Sequence, residues 1–133
     1  MTPEAYAQSD TEHAHQAALF MWAAYMTPRY PELALMFAIP NGGQRNAATG
    51  ANLKAEGVKR GVPDLMLPVA RRGWHGLFIE MKRPASKGKK AGSLSPEQRD
   101  FWHPRLTAEG YCVQTYWRFD DARRCVCWYL GID

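Results

Sequence analysis

The chain has 133 residues, which fits one domain of common size and excludes a second core. Hydrophobic residues make up 46% and charged residues 23%, so disorder over the whole length is excluded, and no apolar run approaches the roughly 20 residues of a membrane span. The N-terminus lacks the pattern of a signal peptide, and the three cysteines have no regular spacing. We therefore expect a cytoplasmic protein with buried free thiols rather than a zinc site, with no membrane contact and no small-molecule cofactor.

Positive charge is concentrated in the middle third of the chain, although the formal net charge is only +4. Residues 54–90 contain ten Lys and Arg against three acidic residues, a net of +7, whereas the remainder has seven basic and ten acidic residues, a net of −3. A concentrated cationic segment is what a polyanion-binding surface needs. The alternative is a solvated loop, which is the more common origin of a charge run.

Helical and strand periodicities alternate along the chain, and no internal repeat interrupts them. They predict helix 10–27, strand 33–39, helix 46–56, strands 63–67 and 77–82, helix 95–110, strand 111–117 and helix 120–130. Ser9 is the expected N-cap of the first helix, and Pro104 should kink the helix that begins at Ser95. Helices mixed with about four strands predict one α/β domain over residues 1–133, with helices flanking a central sheet.

Two of the predicted strands carry the candidate chemistry, in the motifs G-V-P-D, which ends at Asp64, and I-E-M-K, which ends at Lys82. Side chains of a strand alternate between faces, so Glu80 and Lys82 should share one face while their neighbours point into the core. If the strands form a hairpin centred on Arg72, residues whose numbers add up to 144 lie opposite one another, which places Asp64 against Glu80. Two opposed carboxylates repel unless a cation lies between them, so the pattern predicts a divalent-metal site.

The expected ion is Mg²⁺, with Mn²⁺ as a substitute, because Mg²⁺ takes one or two carboxylates and completes its octahedral shell with water and substrate phosphate. Asp64 and Glu80 supply the carboxylates, and the backbone carbonyl of Met81 is a further expected ligand. Lys82 can orient or deprotonate the attacking water, or stabilise charge on the phosphate. The alternatives are ordinary ones: Asp64 as a turn residue after Pro63, and Glu80 with Lys82 as a surface ion pair.

The segments around these residues resemble those of a known family. The stretches G-V-K-R-G-V-P-D-L over residues 57–65, H-G-L-F-I-E-M-K over 75–82, L-S-P-E-Q over 94–98 and G-Y over 110–111 are similar to the VRR-NUC family, a branch of the PD-(D/E)XK nucleases. The resemblance runs from about residue 12 to residue 130. It implies a PD-(D/E)XK nuclease core and a metal-dependent DNA endonuclease, with metal ligands at Asp64 and Glu80, the active lysine at Lys82, and supporting catalytic roles for Glu12 and Gln98.

Glu12 and Gln98 also have a structural explanation. Ser9-x-x-Glu12 and Ser95-x-x-Gln98 both fit the capping-box pattern, in which the acidic or amide side chain binds the start of its own helix. Glu12 lies beside a second stripe of helical positions that favours coverage of this side of the helix. Gln98 is expected to share its helix face with Trp102, which would direct it to a phosphate or to the active site.

Candidate contacts to DNA lie in loops and along the cationic segment. The loop over residues 41–45 follows a predicted strand, and its glycines allow close approach to a phosphate, although such a loop is common without function. The loop over residues 87–90 is expected to be a mobile phosphate clamp. The DNA-binding candidates are Gln44, Arg45, Lys59, Arg60, Arg71, Arg72, Arg83, Lys87, Lys89 and Lys90. The four histidines have no metal-ligand spacing, so structural or surface roles are expected for them.

Stand-alone relatives of this type resemble homodimeric Holliday-junction resolvases, and versions embedded in larger proteins act on flaps and other branched DNA. A four-way junction has two-fold symmetry and needs two matched incisions, which fits a two-fold dimer with two metal sites. The leading hypothesis is therefore a homodimeric, Mg²⁺-dependent, structure-selective DNA endonuclease that resolves Holliday junctions in DNA repair and recombination. The alternatives are a flap or nicking endonuclease and a catalytically inert DNA-binding module.

Overall fold

A computed structural model describes residues 1–40 and 47–132 of the chain. The helices are Pro3–Ala7 (α1), Glu12–Met26 (α2), Ala47–Ala55 (α3), His103–Ala108 (α4) and Phe119–Leu130 (α5). The strands are Phe37–Ala38 (β1), Leu65–Leu67 (β2), Leu77–Met81 (β3) and Cys112–Tyr116 (β4). A 3₁₀ turn over Pro31–Leu35 precedes β1, and a π-helical segment over Gln98–Trp102 runs directly into α4. No helix in these two ranges is long and apolar enough to cross a membrane.

The strands form one mixed sheet in the order β1-β2-β3-β4. The pairs β1–β2 and β2–β3 are antiparallel, and β3–β4 is parallel. Strand β3 is buried on both faces, as expected for a strand with a neighbour on each side and helices packed nearby. Leu77, Ile79 and Met81 are fully buried in the main core with side chains of α2 and α5, so the predicted inward face of this strand is confirmed. The mixed sheet with flanking helices confirms the predicted α/β fold class.

The start of the chain differs from the sequence prediction. Thr11, not Ser9, is the N-cap of α2, since its hydroxyl accepts a hydrogen bond from the N–H of Ala14 at 3.0 Å. The separate helix α1 was not predicted, and it has its own N-cap at Thr2. Asp10, with a φ of 51°, reverses the chain between the two helices. Because Thr11 already caps the helix, the proposed capping box between Ser9 and Glu12 is wrong.

The predicted strand 33–39 is wrong over most of its length. Residues 31–35 form the 3₁₀ turn, and only Phe37–Ala38 pairs in the sheet. The buried side chains here are Leu33 and Met36, while Leu35 is 53% exposed. That three-residue spacing matches a 3₁₀ turn, and the apolar run does not alternate as a half-buried strand does.

The helix predicted over residues 95–110 is interrupted, as the position of Pro104 indicated. The N–H of His103 donates to the carbonyl of Gln98, five residues earlier, which is the hydrogen bond of a π-helix. Pro104 has no N–H and its ring would crowd the carbonyl of Asp100 in a regular α-helix, so a wider turn just before it relieves both problems. The remaining predicted elements occur within one to three residues of their expected bounds. All three cysteines are free and buried, as predicted.

Candidate active site

The hairpin register places the two carboxylates opposite each other. Leu65 pairs with Ile79 and Leu67 with Leu77, so the numbers of paired residues add up to 144 as predicted, and Asp64 and Glu80 are the next pair along the ladder. At the hairpin tip Arg71 pairs with Trp74, which is offset by one residue from that register. One extra residue in the first arm of the hairpin therefore accommodates the turn without moving the carboxylates out of register.

Both carboxylates are buried. Asp64 is 8% exposed and Glu80 is 2% exposed. The Asp64 Oδ2 atom accepts a hydrogen bond from the N–H of Met81 at 2.7 Å, which fixes this carboxylate across the hairpin. Among the residues that the structure describes, the buried Oε1 atom of Glu80 has no hydrogen-bond partner. Such an acceptor costs free energy unless a donor or a cation reaches it, so this oxygen marks a place for a ligand.

Lys82 lies on the same face of the chain as Glu80, as the alternation predicted. Its Nζ atom is 3.8 Å from Oε2 of Glu80, and its side chain is 16% exposed. That distance is an ion-pair contact but lies beyond hydrogen-bond range, so the ammonium is held loosely by Glu80. The alternative of a surface ion pair is therefore wrong, because Glu80 is buried and Lys82 is largely covered.

The electrostatics of the pair favour a bound cation. Burial raises the pKa of Glu80 to about 9. The hydrogen bond between the Glu80 and Asp64 side chains and the negative charge of Asp64 act in the same direction, whereas the charge of Lys82 lowers this pKa. Without a cation, Glu80 therefore keeps its proton at neutral pH while its neighbour repels a second charge. A divalent ion that displaces this proton would relieve the repulsion and occupy the unpartnered oxygen.

Glu12 belongs to the same electrostatic group. It begins α2, and burial raises the pKa of its carboxyl, with a further increase from the charge of Asp64 and a decrease from the charge of Lys82. The charge of Glu12 in turn contributes to the raised pKa of Glu80. With Thr11 as the cap of α2, the Glu12 side chain is not needed for the helix start, and α2 presents it toward the carboxylate pair.

Gln98 has the structural role that the sequence allowed as an alternative. Its side chain is buried, its Oε1 accepts from the N–H of Ser95 at 2.9 Å, and its own N–H donates to the Ser95 hydroxyl at 3.3 Å. This is a complete capping box at the start of the helix. The predicted pairing of Gln98 with Trp102 on one helix face is replaced by the π-turn, which makes His103 the residue one turn above Gln98.

His103 lies within electrostatic reach of this site, although the sequence analysis expected only a structural or surface role for it. Burial lowers the pKa of its imidazole, the charge of Lys82 lowers it further, and the charge of Asp64 acts in the opposite direction. The ring therefore lies within electrostatic reach of both site residues and is neutral at physiological pH. Its Nε2 atom is buried and has no hydrogen-bond partner in the part of the chain that the structure describes. The one sequence signal was Pro104, which disturbs the helix next to His103.

The predicted DNA-binding residues fall at two ends of the sheet. Lys59 and Arg60 are exposed just before Asp64, and with Lys54 they line a cavity of about 410 Å³. Arg71 and Arg72 lie at the opposite end of the hairpin. There the Arg72 Nε atom donates to the backbone carbonyl of Trp128 at 2.7 Å, and the Arg72 guanidinium stacks on the indole ring of the same tryptophan. The structure therefore does not bring these two arginines to the carboxylate pair. Gln44 and Arg45 lie outside the described residues.

The remaining basic candidates lie in a loop that begins beside the site. Gly92 donates its N–H to the Arg83 carbonyl at 2.7 Å, and Ser86 and Lys89 exchange two backbone hydrogen bonds, so residues 83–92 form a short hairpin. The lysines at positions 87, 89 and 90 are exposed on this hairpin. Arg83 is largely covered, and its Nη1 atom has no hydrogen-bond partner among the described side chains and backbone groups. This hairpin can present positive charge next to Lys82.

The donor set fits a divalent ion that takes only part of its coordination from the protein. Within residues 1–40 and 47–132, no group of three His, Cys, Asp or Glu side chains is arranged to hold a metal by itself. Mg²⁺ needs only one or two carboxylates, because water and phosphate oxygens supply the rest. The buried Asp64–Glu80 pair and the unpartnered Glu80 oxygen meet that requirement. The carbonyl of Met81, between Glu80 and Lys82 in the chain, remains a predicted further ligand.

Comparison with known proteins shows which family and fold the chain resembles. The sequence pattern of the VRR-NUC domain matches residues 4–115 of the chain. A solved structure described as a VRR_NUC domain protein is similar with a TM-score of 0.72 and 26% sequence identity, covering 92% of this chain and 89% of that one. No curated protein matches the sequence. The matched region contains all five of the residues predicted to be catalytic.

Proposed function

This chain belongs to the VRR-NUC domain family, whose members are nucleases of the PD-(D/E)XK type, and we propose that it is a Mg²⁺-dependent endonuclease that resolves four-way DNA junctions as a homodimer. Family membership implies nuclease activity and a DNA substrate, and nucleases of this kind generally use divalent metals. The choice of ion, the branched substrate and the dimer are the parts that we propose.

One observation carries the proposal: a buried pair of carboxylates, Asp64 and Glu80, with an unpartnered oxygen and a lysine ammonium 3.8 Å away. A structural ion pair does not account for it, because two buried acids lie opposite each other and one of them has a pKa of about 9. Sites in which burial and like charges shift pKa values this far are commonly catalytic. The arrangement supports hydrolysis of a phosphodiester.

Each residue then has a separate role. Asp64, Glu80 and the carbonyl of Met81 would hold the ion, which when bound lowers the pKa of a water molecule and stabilises charge on the phosphate. Asp64 is kept in place by the N–H of Met81, so its carboxylate is oriented before any ligand arrives. Lys82 is largely excluded from solvent and presents its ammonium to the attacking water or to the phosphate. Glu12 adds a third negative charge at the edge of the site and supports its affinity for a cation.

The choice of a branched substrate is supported by size and symmetry. A single domain of 133 residues covers a short length of duplex, and a four-way junction offers two equivalent positions for incision. Exposed basic side chains precede Asp64 and follow Lys82 on the hairpin over residues 83–92, and this distribution of positive charge suits a substrate whose strands diverge.

The test is cleavage of labelled junction, flap and linear duplex of matched sequence, with Mg²⁺, Mn²⁺ or EDTA, together with a mass measurement in solution. The proposal expects paired symmetric nicks in the junction by a dimer, with either metal and not with EDTA. A monomer that cuts one arm or a flap would favour a flap or nicking endonuclease. Binding without incision in both metals would favour an inert binding module.

Lys82→Ala separates binding from chemistry. We expect this variant to bind junction DNA within a few-fold of the wild type and to lose incision, because the ammonium acts on the reacting atoms. Arg124→Ala is the matched control, since it removes one positive charge from an exposed position on α5 that pairs with two aspartates. Retained incision by Lys82→Ala would remove this lysine from the mechanism.

A further inference from the structure

A cavity of about 410 Å³ lies between α3 and the loop that leads to Asp64. Three of its lining residues are cationic and none is acidic; they are Gly50, Leu53, Lys54, Val58, Lys59 and Arg60. Ligand sites commonly enclose roughly 300–1,000 Å³, so this cavity has room for one small ligand. The proposed function uses the positive charge of this region but not its concave shape.

One wall of the cavity is a single face of α3. Gly50, Leu53 and Lys54 have the spacing i, i+3, i+4, which places them on the same side of a helix. Leu53 is half-buried, although none of the described residues of α3 belongs to the main core. The helix therefore presents its only leucine to the cavity and not to the core of the domain.

The other wall is a loop that is anchored at both ends. The N–H of Val58 donates to the carbonyl of Leu53 at 2.9 Å, which fixes the start of the loop to the C-terminal end of α3. At the far end, the indole N–H of Trp102 donates to the carbonyl of Arg60 at 2.9 Å. Both walls are thus held by the backbone, as in ligand sites that are largely formed before the ligand binds.

Gly50 is the residue of the cavity that local structure does not explain. It lies inside a helix, where glycine is unfavourable, and its φ is not positive. A Cβ at this position would meet nothing within 4 Å among the described residues, so close packing does not require a glycine either. What the missing side chain does is to leave the space beside Leu53 open.

The chemistry of the walls matches a nucleotide. Lys54, Lys59 and Arg60 are exposed, and within residues 1–40 and 47–132 they form no ion pair with a carboxylate. Half-buried apolar side chains, Leu53 and Val58, lie among these cations. A nucleotide combines a base with two apolar faces and an anionic phosphate, so it can use both kinds of wall at once.

We propose that this cavity receives one unpaired nucleotide of the DNA substrate, with its base between Leu53 and Val58 and its phosphates against the three cations. The inference rests on the proposed function and adds the feature that the enzyme recognises at a branch point. Arg60 and Asp64 are four residues apart, which a chain spans with at most about 14 Å, so this nucleotide lies near the reacting phosphate. A base leaves its stack at least cost where the duplex is already interrupted, so the cavity favours branched over linear DNA.

Equilibrium binding tests the cavity without incision. Two four-way junctions of one sequence carry at the branch point either one unpaired thymidine or an abasic residue in its place, and fluorescence anisotropy in EDTA gives the Kd of each. We expect the wild type to bind the thymidine junction roughly tenfold more tightly, because only that junction has a base to bury.

Gly50→Leu should fill the cavity and remove this preference. The new side chain starts in open space and leucine favours a helix, so the fold should be kept. Asn52→Leu is the matched control, since it adds the same side chain to the opposite, exposed face of α3, and it should keep the preference. Lys54→Gln should weaken binding of both junctions and lower the slope of log Kd against log salt concentration by about one, because it removes one phosphate contact.

The outcomes are distinct. Equal affinities of the wild type for the two junctions would overturn the inference, as would a thymidine preference that persists in Gly50→Leu or is lost equally in Asn52→Leu. If Gly50→Leu does not fold, by circular dichroism, Leu53→Ser removes the apolar wall instead, and a preference retained there would overturn the inference. A wild type that cuts junctions without preferring thymidine refutes the cavity and leaves the nuclease proposal intact. A wild type that shows the preference but cuts no DNA with Mg²⁺ or Mn²⁺ refutes the proposed function and leaves the nucleotide site standing.

Discussion

Glu80→Gln should stabilise the metal-free protein at neutral pH while abolishing incision. Glutamine has the size of a protonated glutamate but never carries the charge that is unfavourable beside Asp64. The buried pair in the wild type holds one proton on Glu80 up to a pKa of about 9, against an ordinary value of 4.5. In the unfolded chain this proton leaves near pH 4.5, so between pH 4.5 and about 9 the folded state binds one more proton than the unfolded state.

The sign and size follow from this difference. A carboxyl with a raised pKa contributes its full stability below pH 4.5, and that stability is lost progressively as the pH rises to about 9. The loss is about 1.4 kcal/mol per pH unit, so between pH 5.5 and 7.5 the wild type should lose about 3 kcal/mol that Glu80→Gln does not lose. For a chain of this length, that corresponds to a difference in melting temperature of roughly 10 °C.

Urea unfolding in EDTA, followed by tryptophan fluorescence, measures both proteins at the same pH values. Every other titrating group is common to the two, so the difference between their free energies of unfolding reports on Glu80 and its electrostatic interactions with Asp64 and Glu12. Added Mg²⁺ should stabilise the wild type, by about 2.7 kcal/mol at a hundred times its Kd, and should stabilise Glu80→Gln much less. Parallel pH curves for the two proteins would refute the argument that this carboxyl is protonated and strained in the absence of an ion.

Two further substitutions test the packing, one in the loop before Asp64 and one in the main core. Gly61→Ala should lower the free energy of unfolding by about 1–3 kcal/mol more than Gly57→Ala. Both glycines have a positive φ, but a Cβ at Gly61 would lie 2.8 Å from Trp102 whereas one at Gly57 meets nothing within 4 Å, and equal losses in urea unfolding would contradict the contact. Tyr129→Phe should cost about 1–3 kcal/mol, because its fully buried hydroxyl donates to a backbone carbonyl at 2.6 Å, while Tyr25→Phe, 63% exposed, should stay within about 0.5 kcal/mol in the same assay.

The opposition of Asp64 and Glu80 could be predicted because it depends on local rules. Strand alternation has a period of two, and a slip of one residue would have turned the buried side chains of β3 toward the other face. The apolar residues at positions 77, 79 and 81 therefore fix the register as well as the core. The one-residue offset at the hairpin tip was not predictable, yet it left the ladder at the carboxylates unchanged.

Other features depend on contacts between distant parts of the chain. Ser9 and Thr11 are both good N-caps by residue type, and the choice between them follows from the turn at Asp10, which also contacts His15 and so depends on the packing of α2. The position of His103 could not be predicted for the same reason. A proline in the sequence predicts a disturbed helix, but not the direction in which the neighbouring side chain is turned.

The charge of residues 54–90 shows why counting charged residues along the chain overestimates the positive charge of any one surface. Residues 54–90 carry a net charge of +7, but the hairpin sends Arg71 and Arg72 to one end of the sheet and Lys82 to the other. Only part of that charge therefore faces the carboxylate pair. We therefore propose that a substrate held at the site is contacted by the basic residues before Asp64 and by those of the hairpin over residues 83–92.

The carboxylate pair joins β3 to the residue directly before β2, and this position explains how the fold tolerates it. Leu77, Ile79 and Met81 are fully buried, and each contributes roughly 1.5–3 kcal/mol relative to an exposed side chain. Together they exceed the loss of about 3 kcal/mol expected between pH 5.5 and 7.5 without an ion. A shorter or half-exposed strand would bury less apolar surface and would not offset this loss. The two inner strands can thus keep two acids opposite each other without unfolding the hairpin that holds them.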